Sequence, residues 1–257
     1  MASKTATNVG AIWSHDIEGP SEDLELYTRW LQWGVISGVM RSHDRGMSAG
    51  KCAAKSTCSI VVPWDVAPMY AQANYEALRL RGSMIPYLYT AAYQAHKHGR
   101  WFTTPMYYFW PEHEGAYQTA SPQPNPNAKY DPQYMLGDDL WAAPVVKPAN
   151  STSGLTQLNL WIPPGTWIGT SGGRVVRGSA DGSTSLNILA DLNDIPIYAR
   201  AGAVIPSIPV RPGATIGLAM KPYDDIVWTV YLAYGAPTSG SGTLYEDDGI
   251  TTGYHAK

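Results

Sequence analysis

Three textures follow one another along the chain. A short apolar run at 9–13 ends in the polar group Ser14-His15-Asp16, the pattern of a strand meeting a polar edge. Pro20-Ser21-Glu22-Asp23 then supplies a helix start, with acids in the first turn where the helix dipole favours them. Leu24, Tyr27, Leu31 and Val35 follow at helical spacing, as do Trp30 and Gly34. Ser37-Gly38 breaks this pattern, and Val39-Met40 leads as a second strand into Arg41-Ser42-His43. A loop of about twenty residues, long enough to be unusual in a compact domain, runs to Pro63-Trp64. From 67 to 98 the helical pattern returns with Tyr70, Leu78, Leu80, Ile85, Leu88 and Tyr89, and Pro86 is expected to kink or divide it. His96-Lys97-His98 followed by Gly99 makes a cationic last turn with a terminating glycine.

From 103 to 206 short strands replace helices. Residues 102–110 are rich in β-formers, a Pro/Asn loop occupies 121–132, and strand patterns recur at 140–146, 158–162, 174–177 and 195–199. Turn pairs such as Pro164-Gly165 and Gly172-Gly173 separate them, a spacing that predicts an antiparallel sandwich. The remainder, 207–257, holds one good strand at 226–232 and the acidic turn Leu244-Tyr-Glu-Asp-Asp-Gly249. It is too short to bury a core of its own and is expected to begin a further β-domain. No internal repeat interrupts this order.

Composition narrows the picture. The 257 residues suffice for one large domain or two ordinary ones. A net charge of −3 without a basic stripe argues against nucleic acid as a partner. No apolar run reaches the length of a membrane span, and the first residues lack the apolar core of a signal peptide. Cys52 and Cys58 share one loop; a local disulfide and two free thiols both fit, while a zinc site lacks further ligands. Glu246-Asp247-Asp248-Gly249 lacks the alternating ligands of a calcium loop, so no metal or cofactor is expected there. Asn150-Ser151-Thr152 is an N-glycosylation sequon in a polar loop. Ten Trp and seventeen Tyr against two Phe is a skewed aromatic choice, and most of these rings are expected to fill a core.

Collinear pieces over nearly the whole chain resemble the C-terminal portion of glycoside hydrolase family 31. They are Ser14-His-Asp-Ile-Glu-Gly19, Glu25-Leu-Tyr-Thr-Arg-Trp-Leu-Gln-Trp-Gly34, Arg41-Ser-His43, Pro63-Trp64, Ala77-Leu-Arg-Leu-Arg81 and Ile85-Pro-Tyr-Leu-Tyr-Thr90. Gln133-Tyr-Met-Leu-Gly-Asp-Asp-Leu140, Ala143-Pro-Val145, Pro164-Gly-Thr-Trp167, Ile195-Pro-Ile-Tyr-Ala-Arg-Ala-Gly202 and Leu244-Tyr-Glu-Asp-Asp-Gly249 continue the series. The resemblance implies an α/β plus all-β chain: the terminal part of a (β/α)8 TIM barrel at 1–102, a proximal antiparallel β-sandwich at 103–206, and the start of a distal β-domain at 207–257. Barrel active sites lie at the C-terminal ends of the strands, where Asp16 and His43 fall. By resemblance Asp16 lines the sugar pocket and His43 hydrogen-bonds a sugar hydroxyl. Arg41 supports the pocket by ion pairing, and Trp64 either stacks on sugar or closes the barrel.

The implied activity is retaining hydrolysis of terminal α-linked glucose-like units of oligosaccharides. Such chemistry needs two carboxyl groups, a nucleophile and an acid/base. In the family these are aspartates, one in a Trp-x-Asp-Met-Asn-type motif and one after a glycine, and neither stretch precedes Gly10. The expectation is therefore that no catalytic residue lies in this chain, that the rest of the barrel precedes Met1, and that the chain alone is inactive. Two departures bear on substrate: Asp16-Ile-Glu-Gly-Pro20 replaces the usual Asp-Ile-Gly-Gly-Phe, and Thr104 stands near the place of an arginine. Rival readings are a stand-alone, non-catalytic carbohydrate-binding or scaffold β-sandwich, and the tail of a family 31 transglycosidase or glucan lyase.

Overall fold

The computed structural model describes residues 14–18, 23–43, 62–99, 102–120, 128–210, 225–236 and 239–252. The apolar run at 9–13 and both cysteines lie outside the described residues, as do the side chains of His15 and His43. Strands β1 (Ser14–Glu18) and β2 (Val39–His43) pair in parallel, joined by helix α1 (Leu24–Val35). Asp23 caps α1: its Oδ1 accepts from the Leu26 N–H at 3.0 Å, replacing one bond the helix cannot make to itself. Among the described residues β1 and β2 form an open pair, and no closed barrel is present.

The long helical pattern divides at Met84 into α2 (Pro68–Ser83) and α3 (Ile85–His98). Pro86 sits in the first turn of α3, where its missing N–H leaves no bond unmade. Gly99 ends α3 at φ 64°, a left-handed conformation open to glycine without steric cost.

The β region is a six-stranded antiparallel sheet. Its strands are β3 (Thr103–Pro105), β4 (Tyr134–Leu136), β5 (Leu140–Ala142), β7 (Gly165–Gly169), β8 (Val175–Gly178) and β10 (Ile197–Arg200). Their spatial order is β3-β4-β5-β10-β7-β8. β6 (Thr156–Trp161) and β9 (Ser185–Ala190) form a separate antiparallel pair. The β-rich stretch at 102–110 supplies only the three residues of β3. Pro105 lacks an N–H to carry the ladder onward, and the chain turns into a 3-10 segment at Met106–Tyr108, then α4 (Glu114–Gln118).

The sheet is buried on both faces. Tyr134, Leu136, Leu140, Ala142, Ile197 and Ala199 pack with Trp33, Val35, Ala77, Tyr87 and Leu88 of the helices. Met135, Trp141, Ala143 and Tyr198, at the alternate positions, pack with Leu158, Leu160 and Trp161 of β6. Three layers result: helices, sheet, and the β6–β9 pair. Trp141, Trp161 and Trp167 are fully buried, so these rings are core as expected. Trp141 stacks on Tyr198 at 4.3 Å and meets Trp167 edge-on at 6.3 Å. Each such pair adds ~0.5–1.5 kcal/mol beyond its buried area.

Polar side chains of α1 tie the layers together. Arg29 donates to the Asp191 carbonyl at 2.8 Å, Gln32 Nε2 to the Leu192 carbonyl at 2.6 Å, and the Ala149 N–H to Glu25 Oε1 at 2.8 Å. Strand β11 (Val204–Ser207) pairs antiparallel with β12 (Val227–Val230), so the strand expected near 226–232 joins a partner from the preceding segment. The segment after it crosses α3. Tyr245 stacks on Tyr93 at 3.6 Å, and its N–H donates to Thr90 Oγ1 at 3.0 Å. The hydroxyls of Tyr89 and Tyr245 donate to Asp247 at 2.8 and 2.6 Å. The acidic turn is thus a hydrogen-bonded strap.

Candidate functional site

The parallel pair brings two of the expected residues together, but at the third of five positions in each strand rather than at a strand end, because β1 runs on through the polar group to Glu18. Asp16 is the register partner of Arg41, and an Arg41 guanidinium nitrogen donates to Asp16 Oδ1. Their side chains are 49% and 51% exposed, so the pair faces solvent. An ion pair so placed adds at most ~1 kcal/mol to stability. Its effect is geometric: it holds the Asp16 carboxylate beside a cation on the neighbouring strand. Two register steps further along, the backbone of His43 pairs with that of Glu18.

The opposite face anchors the strands. Ile17 is fully buried against Tyr27 and Leu31 of α1. Burial pushes the Tyr27 hydroxyl above its ordinary pKa, with the nearby Ser42 hydroxyl partly opposing the rise. Gly34 lets α1 lie this close, because a Cβ there would fall 2.8 Å from Ile17 Cδ1 and 3.0 Å from Met40 Cγ.

Arg81 fixes where β2 begins. Its guanidinium donates to the carbonyls of Val35 at 2.9 Å, of Gly38 at 2.8 Å, and of Ser37 between them. These are the last carbonyls of α1 and the turn into β2. Burial pulls the Arg81 pKa down to about 10, with the Tyr134 phenol opposing that fall. Tyr134 itself donates to the Ile36 carbonyl at 2.9 Å, and the Ser37 hydroxyl donates to the Gly34 carbonyl at 2.8 Å. Sequence reading gave Arg81 and Gly34 no role. Glycine at a helix end carries no signal of what it lies against, and a helical arginine reads by default as solvated.

Trp64 stands apart from this arrangement. It is 65% exposed in a turn after Pro63, whose carbonyl accepts from the buried Asn74 amide at 2.8 Å. No described contact joins it to Asp16 or Arg41. Two larger cavities lie elsewhere among the described residues. One of 390 Å³ separates α2 from the sheet and is lined in part by Glu76, Asp194 and Tyr231. One of 450 Å³ lies between α1 and residues 145–148, with Trp30 and Trp33 in its floor. Among the described residues no cluster of His, Cys, Asp and Glu has the makings of a metal site, and no helix is long and apolar enough to cross a membrane.

Residues 3–91 match the sequence profile described as the glycosyl hydrolases family 31 TIM-barrel domain, and residues 99–205 the one described as the glycosyl hydrolase family 31 C-terminal domain. The chain belongs to glycosyl hydrolase family 31. It is 28% identical over 232 residues to a 1,6-α-glucosyltransferase of Sporosarcina globispora, covering 90% of this chain and 15% of that protein. It is also 28% identical over 236 residues to the neutral α-glucosidase AB of Mus musculus, covering 91% of this chain and 21% of that one. Among solved family 31 structures, a Flavobacterium johnsoniae dextranase complexed with isomaltotriose is similar with a TM-score of 0.70 at 25% identity, covering 91% of this chain and 24% of that one. The chain thus spans 15 to 24% of the length of these family 31 proteins.

Proposed function

We propose that this chain supplies part of the sugar-pocket wall, and the β-layers that brace it, in a family 31 retaining α-glycosidase acting on terminal α-linked glucose-like units of oligosaccharides. The observation that carries the reading is the Asp16–Arg41 pair on adjacent parallel strands, two residues before their last residues Glu18 and His43. Barrels of this kind place their chemistry toward the C-terminal ends of their strands, and a carboxylate held by an arginine is oriented to accept from sugar hydroxyls. In this reading Asp16 and His43 bind the sugar and Arg41 orients Asp16, while Trp64, apart from the pair, either stacks on sugar or closes the barrel. Residues 1–102 belong to the barrel, 103–206 to the sandwich, and 207–257 begin a further β-domain.

The cleavage step needs a nucleophile and an acid/base about 5–5.5 Å apart. Asp16 is already engaged by Arg41, and no Trp-x-Asp-Met-Asn stretch occurs in the 257 residues. These residues by themselves are therefore expected to leave p-nitrophenyl α-glucoside unhydrolysed, while a longer protein containing them and the two acids turns it over. Turnover by the isolated chain that disappears with Asp16→Asn would overturn the reading. The likeness to a 1,6-α-glucosyltransferase supports a second outcome, transfer of the glucosyl unit to a sugar rather than to water. Product analysis of the longer protein separates the two.

A further inference from the structure

We propose that Asn150 is an N-glycan acceptor, a site independent of the glycosidase reading. Asn150-Ser151-Thr152 is the only Asn-x-Ser/Thr triplet with a non-proline middle residue in the chain. It stands in the tight exposed turn between β5 and β6. The backbone of that turn is satisfied internally: the Asn150 N–H donates to the Leu155 carbonyl at 2.9 Å, and the Gly154 N–H donates to the Asn150 carbonyl at 2.8 Å. Gly154 takes φ 68° to close it.

The side-chain amide is divided by the same geometry. Oδ1 faces inward and accepts the N–H groups of Thr152 and Ser153, each at 3.0 Å. Nδ2 donates to no described residue, and residues 150–154 are all exposed. A sugar on Nδ2 therefore breaks no hydrogen bond of the fold and displaces no packed group. Two N–H donors on Oδ1 also draw the amide's electrons toward oxygen, which eases loss of an Nδ2 proton. The co-reactant is a polyprenyl-diphosphate-linked oligosaccharide. An Nδ2–C1 bond forms as the bond from C1 to the phosphate oxygen breaks. Polyprenyl diphosphate leaves with that electron pair, and one amide proton passes to a base of the transferase.

The test is to express the whole chain behind a cleavable secretion leader in yeast, and to examine both medium and denatured cell lysate. One glycan is expected, removed by peptide:N-glycosidase with deamidation confined to position 150 in peptide mass spectra. Asn150→Gln and Thr152→Ala should each abolish it. Thr152→Ala keeps the Asn150 turn, since the Thr152 N–H remains, so near-UV circular dichroism identical to the wild-type chain separates loss of acceptor from misfolding. A wild-type chain that passes the translocon with position 150 unmodified, or a glycan that survives Asn150→Gln, overturns the assignment.

Discussion

Gly34 and Ile17 are in contact so close that the smallest side chain at position 34 would press a methyl to within 2.8 Å of the isoleucine Cδ1. The helix between the two parallel strands is seated directly on the strand that carries Asp16. Gly34→Ala should therefore destabilise the chain by ~1–3 kcal/mol through overpacking, although alanine is the better helix former. Urea denaturation measures the shift. An unchanged or raised midpoint would show that Ile17 and Met40 move aside freely.

Arg81→Met should cost more, on the order of 3 kcal/mol, because it leaves the carbonyls of Val35, Ser37 and Gly38 without their donor in a buried setting. Arg81→Lys keeps the charge but not the planar fork, and is expected to fall between the two. The same denaturation experiment ranks the three proteins, and equal stability of wild type and Arg81→Met would refute the clamp.

The Asp16–Arg41 pair predicts a different balance. Both side chains are half exposed, so Asp16→Asn and Arg41→Ala should each change stability by no more than about 1 kcal/mol. In the longer catalytic protein each should lower kcat/KM by roughly 100-fold or more, because the interaction serves the bound sugar rather than the fold. Large loss of stability with intact turnover would reverse the assignment.

The strap over α3 should be held between two pH limits. Two tyrosine hydroxyls hold the Asp247 carboxyl below the usual carboxylate range. Its contribution is therefore complete above about pH 4 and is lost as pH falls through the lower folded value. The hydrogen bond to Asp247 pushes the Tyr245 phenol well above its ordinary pKa, with smaller contributions from desolvation and the Asp247 charge. That contribution is complete below about pH 10 and is lost as pH rises through the higher folded value. Protease sensitivity near 239–252 should rise at both extremes, and Asp247→Asn should flatten the acid limb. A chain equally resistant at every pH would remove the strap from the account.

Much of this fold was legible in the sequence where local chemistry decides. Asp23 begins α1, Gly99 ends α3, and a proline lies in the turn where the long helical pattern divides. The division falls at Met84, ahead of Pro86, because proline is accommodated at the start of a helix. Strands β7 and β9 gave weaker signals. β7 opens on Gly165, which reads as turn, and β9 alternates half-buried with exposed positions until Ala190, including Leu189 at 63% exposure. At the site, Asp16 and Arg41 were legible as polar residues beside two neighbouring strands, but their pairing at the middle of those strands was not. Nor was the dependence of β2 on Arg81, since a side chain that reaches 43 to 46 residues back along the chain leaves no periodic trace.

The sheet sends Tyr134 and Leu136 to one core and Met135 to the other. It is a party wall: whatever alters its residues is felt in two rooms. Swapping the helical half or the β half alone with that of a relative would pair surfaces shaped against different neighbours. Viable hybrids should thus need α1 to α3 and β3 to β10 to travel as one block.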